Sequence, residues 1–259
     1  MNERPLILIT NDDSISAPGL HSLVESAREF GDIFVVAPKN PQSGQSSALT
    51  VGSPLHIREI DSAGEGVRMF TVDGTPTDCI KLALHAIVPR KPDLLLSGVN
   101  HGSNSGTCIT YSGTMGAVLE GCMEHIPSVG FSLLHHSLAA DFTLSAAHVR
   151  DIIAKVIASG LPEHVCLNVN IPAKVRPEGI RVCRAARGFW TEEYKRYLDP
   201  QGSPFYLLTG RFVNEEPDSR DTDEYWLDRR YISIVPVTPD MTDREAIKKL
   251  ASEYNSDFD

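Results

Sequence analysis

The chain has 259 residues, of which 41% are hydrophobic and 22% charged, so it can bury a sizeable core in the manner of an ordinary globular protein. Its formal net charge of −10 at pH 7 argues against nucleic acid or an anionic membrane as the main partner. The 5 cysteines are scattered, without a Cys-x-x-Cys pair. The sequence shows no signal peptide and no apolar run of about 20 residues, the length that spans a bilayer. We therefore expect a reduced, cytoplasmic protein without a membrane segment.

The first strand pattern is the unbroken aliphatic run at residues 6–9, which is typical of a central parallel strand buried on both faces. Asn11, Asp12 and Asp13 follow it. Neighbouring side chains of a strand point to opposite faces, so the two carboxylates converge only if the chain bends there. Two close carboxylates repel each other, and a divalent cation relieves that repulsion. The alternative is a solvated turn that leads, with Ser16 as the cap, into a helix at Pro18.

Strand and helix patterns then alternate as far as about residue 176. Period-two runs at 55–57 and 67–72 predict antiparallel or edge strands. Thr75, Pro76 and Asp78 predict a helix start, in which Asp78 has a structural role. Further parallel strands are predicted at 33–37, 92–97, 129–134 and 165–170, with helices between them. We therefore predict a three-layer α/β/α sandwich with a mostly parallel, Rossmann-like sheet, and assign residues 1–176 to a catalytic core.

From residue 177 to residue 259 the pattern changes to a β-rich extension, which we expect to be continuous with the core. Strands are predicted at 180–186, 205–212 and 231–237, and the acidic residues 215–224 predict a solvated loop. Residues 188–211 predict a protruding hairpin, because aromatic residues flank an Asp-Pro-Gln-Gly turn. Exposed aromatic area usually marks an interface, so we expect this hairpin and the last strand to reach a second copy. The alternative is a monomer whose hairpin folds back over its own sheet. The aromatic residues are Phe189, Trp190, Tyr194, Tyr197, Phe205 and Tyr206.

Three polar loops leave predicted parallel strands at their carboxyl ends, at residues 11–14, 38–47 and 97–106. Their carboxylates, hydroxyls and amides form an oxygen-rich set, which favours a hard cation such as Mg²⁺, Mn²⁺ or Ca²⁺ over structural zinc. Ser112, Gly113 and Thr114 begin a helix, where backbone N–H groups and the helix dipole favour an anion. A cation beside such a helix start suits the chemistry of phosphate esters.

Five motifs in order carry a resemblance to a known family. They are Thr-Asn-Asp-Asp at residues 10–13, Val-Val-Ala-Pro-x4-Ser-Gly at 35–44, Asp-Gly-Thr-Pro-Thr-Asp-Cys at 73–79, Ser-Gly-Val-Asn-x-Gly-x-Asn at 97–104 and Tyr-Ser-Gly-Thr-x-Gly-Ala at 111–117. Together they resemble the SurE family of stationary-phase survival proteins, which are metal-dependent nucleotide phosphatases. Residues 221–223 and 232–236 match more loosely. Ser14 stands where the family usually has glycine, so a positive φ there would strain the serine.

The resemblance implies hydrolysis of nucleoside 5′- and 3′-monophosphates, with polyphosphate as a further substrate. It implies one divalent cation per subunit, Mg²⁺ or Mn²⁺, with Ca²⁺ able to replace it in crystals. It also implies a homodimer or homotetramer built through C-terminal arms. The implied metal ligands are Asp12, Asp13, Ser43 and Asn100; the implied catalytic residues are Asp12, Asp13 and Asn100; and the implied phosphate-binding residues are Asn11, Gly44, Asn104, Ser112, Gly113 and Thr114.

Several alternatives stay open on the residues alone. Ser43 and Asn100 also suit ordinary turns, and His101 is expected to be an exposed loop histidine, because no neighbour in sequence orients its ring. A zinc-dependent deacetylase would need histidine ligands near Asp12, and a covalent aspartyl-phosphate phosphatase would need Asp-x-Asp after the strand. A non-enzymatic nucleotide sensor on a Rossmann-like fold would be expected to carry Gly-x-Gly-x-x-Gly after the first strand. The residues before Asp12 are Thr10 and Asn11, the strand is followed by Asp-Asp, and no Gly-x-Gly-x-x-Gly follows it, which counts against all three classes. The nucleotide sensor remains the alternative to an enzyme.

Overall fold

The computed structural model describes residues 4–61, 64–137 and 139–254. Its strands are β1 (Leu6–Thr10), β2 (Asp32–Pro38), β3 (Ile57–Ile60), β4 (Val67–Val72), β5 (Leu94–His101), β6 (Ser128–Leu133), β7 (Cys166–Ile171), β8 (Ile180–Val182), β9 (Gly188–Thr191), β10 (Tyr194–Leu198), β11 (Pro204–Leu208), β12 (Arg211–Asn214) and β13 (Ile232–Val237). Its α-helices are α1 (Pro18–Ala27), α2 (Pro76–Leu82), α3 (Gly113–Met123), α4 (Thr143–Ser159), α5 (Asp223–Leu227) and α6 (Arg244–Tyr254). A π-helical turn (Ala83–Ile87) extends α2, and a 3₁₀ turn (Gly106–Thr110) precedes α3.

The main sheet has 9 strands in the order β3-β4-β2-β1-β5-β6-β7-β13-β8. The strands from β4 to β7 in this order are mutually parallel, whereas β3 is antiparallel to β4 and β13 is antiparallel to β7. After β1 the chain builds outward to β2 and β4, then returns to add β5 on the other side of β1. The order therefore reverses at β1, and the crevice at its carboxyl end is where open α/β sheets bind ligands.

Two apolar layers cover the two faces of the sheet, as the predicted three-layer α/β/α sandwich requires. Ile7 and Ile9 of β1 pack in one layer, which also holds the buried faces of α1 and α4. Leu8, between them in sequence, packs in the other layer with residues of α2 and α3 such as Ile80 and Met115. This alternation follows from the two-residue period of a strand. Burying each such side chain contributes roughly 1.5–3 kcal/mol, so the layers fix β1 in the centre.

The helix starts agree with the sequence at α2 and α3 but not at α1. Thr75 and Asp78 form the capping box of α2, in which each side chain accepts an N–H of the other residue. The structural role predicted for Asp78 is thereby confirmed. Pro18 opens α1 as predicted, but the capping residue is Ala17, without a side-chain cap. Ser16 instead pairs its hydroxyl with that of Ser14, at an Oγ–Oγ distance of 3.1 Å.

Strand β5 is longer than predicted, because it continues through part of the loop assigned to residues 97–106. A bulge follows Ser97, after which Asn100 and His101 pair with Ser132 and Leu133 of β6. Gly98 lies at the bulge with φ +116°, and a Cβ there would lie 2.2 Å from the carbonyl oxygen of Phe131. Only glycine allows this approach, which carries the polar residues that follow to the sheet edge beside β1.

Four predictions on the later and edge strands need correction. The predicted strand 55–57 is displaced to β3, and the predicted strand 205–212 is divided into β11 and β12 at Gly210, where φ is +109°. The acidic stretch 215–224 does not end as a solvated loop, since Thr222 and Asp223 are buried at the start of α5. The last strand, β13, pairs with β7 and β8 of its own chain.

The predicted hairpin is present as β10 and β11, which pair from Tyr194–Leu208 to Leu198–Pro204 around a turn at residues 199–203. All ten residues of these two strands are exposed. A second antiparallel pair, β9 with β12, forms its base. Helix α6 was not predicted and also has no buried residue. No helix in the described parts of the chain is long and apolar enough to cross a membrane.

Candidate active site

Asp12 and Asp13 lie at the carboxyl end of β1, where three segments converge on them. Asp12 is 4% exposed, and its Oδ1 accepts a hydrogen bond of 2.6 Å from the Thr114 hydroxyl at the start of α3. Asp13 Oδ2 accepts the backbone N–H of His101 at 3.0 Å. Gly113 allows α3 to approach, because a Cβ there would lie 2.9 Å from the Cβ of Asp12. The bend that the sequence required is therefore present, and it brings β1, β5 and α3 together.

No ion pair among the described residues includes Asp12 or Asp13. Burial, together with the charge of Asp13, raises the pKa of Asp12 to about 6, and burial also raises the pKa of Asp13. Ionising both groups therefore costs free energy unless positive charge arrives from outside the chain. The site offers oxygen ligands and two neighbouring carboxylates, of which Asp12 is buried and Asp13 half-buried, and this donor set fits a divalent cation.

Asn11 closes the turn that holds this pair. Its Nδ2 donates to the carbonyl oxygen of Ser14 at 2.9 Å, and its Oδ1 is buried without a hydrogen-bond partner among the described residues. Ser14 has φ +89°, so the positive φ considered from the sequence is present. The Asn11 side chain thus stabilises the turn through Nδ2, while its Oδ1 has no partner among the described residues. Ser14 has the backbone strain that glycine would avoid.

Replacing Ser14 by glycine is expected to increase the free energy of unfolding by about 0.5–1 kcal/mol. A positive φ costs an L-residue roughly 1–2 kcal/mol, and glycine removes this strain. Glycine is also more flexible in the unfolded chain, which offsets about 0.5–1 kcal/mol of the stabilisation. Urea unfolding measures the difference. Ser16→Gly is the matched control, because Ser16 lies in the same loop without a positive φ and should lose stability. A Ser14→Gly protein no more stable than Ser16→Gly would contradict this explanation of the turn.

The loop after β2 lies beside the aspartate pair. The N–H of Gln42 donates to the carbonyl oxygen of Asp12 at 2.7 Å, and Ser46 donates to the carbonyl oxygens of Thr110 and Tyr111 just before α3. Ser43 and Gly44 are exposed on this loop, and Gly44 has φ +76°. Within the described residues, Ser43 makes no hydrogen bond to Asp12 or Asp13. The structure therefore brings Ser43 to the rim of the site, while Asp12 lies inside it.

Asn100, near the end of β5, and Asn104, in the loop that follows β5, have different surroundings. Asn100 is half-buried and its Nδ2 donates to the carbonyl oxygen of Gly102 at 2.9 Å. Asn104 is buried, and its Nδ2 donates to the Ser132 hydroxyl at 2.8 Å. Its backbone is held by two further amides, from Asn168 and Asn170 of β7. In the sequence, this network is indicated only by polar residues within otherwise aliphatic strands: Ser132 in β6, and Asn168 and Asn170 in β7.

Ser112, Gly113 and Thr114 are all buried at the start of α3. The Ser112 hydroxyl caps the helix by accepting the N–H of Met115 at 3.1 Å, and the Thr114 hydroxyl is bound to Asp12. Both hydroxyls are therefore engaged within the chain. The first N–H groups of a helix have no partner inside it, so an anion here would be bound mainly by backbone N–H groups.

Comparison with known protein families matches residues 7–192, more than half of the chain, to a family described as Survival protein SurE. A protein named 5′-nucleotidase SurE from Flavobacterium psychrophilum is 47% identical over 249 residues, which cover 95% of this chain and 96% of that protein. The protein of the same name from Bacteroides fragilis is 44% identical over 251 residues, covering 97% and 98%. The chain belongs to the SurE family.

The fold of this SurE chain agrees with that assignment. A crystal structure of the SurE protein from Aquifex aeolicus matches it with a TM-score of 0.82 at 36% sequence identity. The match covers 97% of this chain and 100% of that one. The resemblance drawn from five short motifs is thus confirmed over nearly the whole length, including the extension that those motifs do not reach.

His101 of this SurE chain is not the unoriented, exposed histidine that was predicted. It is half-buried, its Nδ1 lies 3.0 Å from the carbonyl oxygen of Ser137, and its ring meets the ring of Phe142 edge-on at 5.3 Å between centroids. Its Nε2 is buried without a hydrogen-bond partner among the described residues. The groups that orient the ring lie more than 30 residues away in sequence, so no local pattern pointed to them.

Asp223, which the sequence indicated only as part of a loose motif match, and Glu224 are two further residues for which no role was predicted. Asp223 is 0% exposed and accepts the backbone N–H groups of Gly106, Ala186 and Glu224, each at 2.8 Å. Burial raises the pKa of Asp223, against the three N–H donors that lower it. Glu224 accepts a short hydrogen bond from the Ser105 hydroxyl. The two carboxyl groups join α5 to Ser105 and Gly106, at the end of the loop that carries Asn104.

Proposed function

We propose that this SurE chain is a divalent-metal-dependent phosphomonoesterase that hydrolyses nucleoside 5′- and 3′-monophosphates to nucleoside and phosphate. The relatives named 5′-nucleotidase match it over nearly its whole length and support the nucleotidase activity. The single observation that carries the proposal is the pair of buried Asp12 and half-buried Asp13 against the start of α3, which has no ion-pair partner among the described residues. The free cysteines support a reducing, cytoplasmic setting.

Asp12, Asp13, Asn100 and Ser43 are the residues that we assign to the cation. When bound, the ion supplies Lewis-acid polarisation of the phosphoryl group. The Thr114 hydroxyl fixes the orientation of Asp12, and the backbone N–H of His101 fixes that of Asp13. The catalytic residues of this assignment are Asp12, Asp13 and Asn100.

The start of α3 is assigned to the phosphate of the substrate. The backbone N–H groups of Gly113 and Thr114 favour its oxygen atoms, and Ser112 holds those groups in place as the helix cap. We also assign Asn11, Gly44 and Asn104 to the binding of the phosphate. Residues 1–176 would then form the catalytic core, and residues 177–259 an extension that supports the site and the assembly.

The test is phosphate release from a panel of nucleoside 5′-monophosphates, nucleoside 3′-monophosphates and polyphosphate, measured with added Mg²⁺ or Mn²⁺. We expect turnover of the monophosphates and slower release from polyphosphate. Binding of nucleotides without any release of phosphate would refute the enzymatic proposal and favour a nucleotide sensor.

Replacing Thr114 by valine is expected to lower kcat/KM by about 10–100-fold. The change removes the hydroxyl that bonds to Asp12, and a hydrogen bond to a charged group contributes about 1.5–3 kcal/mol. Thr114→Ser keeps the hydroxyl and is the matched control, which should retain most of the activity. Steady-state kinetics with a nucleoside monophosphate measure both. Equal activity of the valine and serine variants would show that the Asp12–Thr114 contact has no part in the reaction.

We further propose that the chain assembles as a homodimer or homotetramer through the hairpin of β10 and β11. The supporting observation is the exposure of large apolar side chains on this hairpin, among them Tyr194, Tyr206 and Leu208 at 65%, 58% and 73%. A two-stranded hairpin without a covered face is marginal in water, so a partner surface would stabilise it.

Size-exclusion chromatography with light scattering is expected to give two or four times the chain mass of 28.4 kDa. A variant in which a short turn replaces residues 195–207 should shift toward the monomer, because it removes most of the exposed apolar area. Tyr206→Ser alone should weaken the assembly less, and it preserves the hairpin. An intact protein that remains a monomer at micromolar concentration would disprove this assembly.

A further inference from the structure

A second group of metal-binding side chains lies at the other edge of the main sheet. His125 is in the connection from α3 to β6, and Glu163 and His164 are in the connection from α4 to β7. Strands β6 and β7 are parallel neighbours, so both connections reach the sheet at its amino-terminal edge. Asp12 and Asp13 lie at the carboxyl edge, so the two sites are separated by the length of the strands and share no residue.

We propose that His125, Glu163 and His164 form a binding site for a transition-metal ion, with Zn²⁺ as the best match. In the described part of the chain, they are the one group in which three ligand atoms from His, Cys, Asp or Glu lie within 4.8 Å of one another. The His164 Nε2 lies 3.5 Å from a carboxylate oxygen of Glu163. The rings of His125 and His164 meet at 5.2 Å between centroids. All three side chains are exposed, so small rotations suffice to bring them onto one ion.

The chemistry of this donor set differs from that of the aspartate pair. Two imidazole nitrogens and one carboxylate oxygen suit Zn²⁺ and its neighbours in the first transition row, whereas Mg²⁺ prefers oxygen ligands alone. Three protein ligands also leave a coordination position open. The three residues line a cavity of about 160 Å³ together with Cys122, which has room for water to occupy that position.

The backbone at both histidines supports a role beyond that of ordinary loop residues. His125 has φ +57° and follows Glu124, the residue that caps the end of α3. The N–H of His125 donates to the carbonyl oxygen of Cys122, and the N–H of Ile126 donates to that of Gly121. This is the helix-ending motif in which glycine usually occupies the position with positive φ. His164 has φ +59° in a turn closed from Val165 to Pro162, again at a position that favours glycine. A histidine at each of these positions costs backbone strain that glycine would avoid, and it places two imidazole rings close together.

Binding of an ion would link two segments of the chain and stabilise the fold. One ion would join the end of α3 to the turn before β7, two segments that are otherwise separate loops. The start of α3 carries Ser112, Gly113 and Thr114. Helix α3 would therefore connect the zinc site at its end with the proposed phosphate site at its start. An ion that binds only the folded chain raises the temperature of unfolding with its concentration.

The test is calorimetric titration of the intact protein with Zn²⁺ in excess Mg²⁺, which occupies the proposed catalytic site. We expect one Zn²⁺ per chain. His125→Asn and His164→Asn should each weaken that binding at least about tenfold. Mutating a residue that only hydrogen-bonds to a metal ligand already costs about that much, and each of these variants removes a ligand itself. Asparagine tolerates positive φ, so the turns should be preserved. His21→Asn is the matched control, because His21 is an exposed histidine on α1 away from this group.

Two further measurements separate the zinc site from the proposed nucleotidase activity. Zn²⁺ should raise the unfolding temperature of the wild type and of His21→Asn, and should leave those of His125→Asn and His164→Asn unchanged. Phosphate release with Mg²⁺ should be the same in all four proteins. Unchanged Zn²⁺ affinity in both His125→Asn and His164→Asn, or no Zn²⁺ uptake by the wild type, would overturn the proposal.

Discussion

Replacing Asp12 by asparagine is expected to lower phosphate release from nucleoside monophosphates by about a thousandfold and to stabilise the metal-free protein. A metal ion contributes several kcal/mol to stabilising charge in the transition state, and each 1.36 kcal/mol is a factor of ten in rate. The asparagine removes a charged oxygen from that ion. It keeps an oxygen that can accept the Thr114 hydroxyl, so the loop should retain its shape.

The expected gain in stability follows from the pKa of Asp12. Burial and the charge of Asp13 raise that pKa from 3.8 to about 6, so folding favours the protonated form. The stability associated with protonated Asp12 is complete below pH 4 and is lost as the pH rises through 6. At pH 8 the asparagine variant should therefore be more stable than the metal-free wild type by an amount on the order of 2–3 kcal/mol.

Urea unfolding between pH 4 and pH 8, with EDTA present, measures the stability, and steady-state kinetics with Mn²⁺ measure the activity. Asp32→Asn is the control, because Asp32 is an exposed carboxylate at the opposite edge of the sheet. Full activity of Asp12→Asn, with the metal dependence of the wild type, would contradict the assignment of the metal site.

Replacing Asp223 by alanine is expected to lower the free energy of unfolding by about 3–5 kcal/mol. The change leaves the backbone N–H groups of Gly106 and Ala186, both buried, and that of Glu224, which is part-buried, without their acceptor. A hydrogen bond to a charged group contributes about 1.5–3 kcal/mol. For a domain of this size, the loss corresponds to a fall of about 10 °C in Tm. Thermal unfolding followed by circular dichroism measures it.

Asp221→Ala is the matched control for Asp223, two positions earlier in the chain. Asp221 pairs with Arg184 at the surface, where its side chain is 68% exposed, and such pairs contribute about 0–1 kcal/mol. The Asp223 variant should also bind substrate less well, because the N–H of Gly106 follows the loop that carries Asn104. Similar losses of stability in the two variants would show that Asp223 does not hold that loop.

The parts of the fold that were predicted correctly depend on local patterns. The aliphatic run at residues 6–9 identified β1, and the capping residues Thr75 and Ser112 identified the starts of α2 and α3. In each case the residues that determine the element lie within a few positions of one another. The positive φ at Ser14 was considered only through the family resemblance, because the family usually has glycine at that position.

The parts that were missed depend on contacts between distant residues. His101 is oriented by Ser137 and Phe142, and Asp223 is buried because N–H groups near residues 106 and 186 surround it. An acidic stretch in sequence usually indicates solvent, so the pattern at 215–224 favoured the wrong environment for its last members. The extension of β5 past Ser97 is likewise determined by its pairing with β6, which the sequence of β5 alone does not reveal.

The most direct test of the proposed function is phosphate release from adenosine 5′-monophosphate by the purified protein, before and after its metal is removed with EDTA and dialysis. We predict that removal abolishes the release and that Mg²⁺ or Mn²⁺ restores it in the wild type, with little restoration in Asp12→Asn. Release that continues unchanged in the metal-free protein would contradict the proposed function.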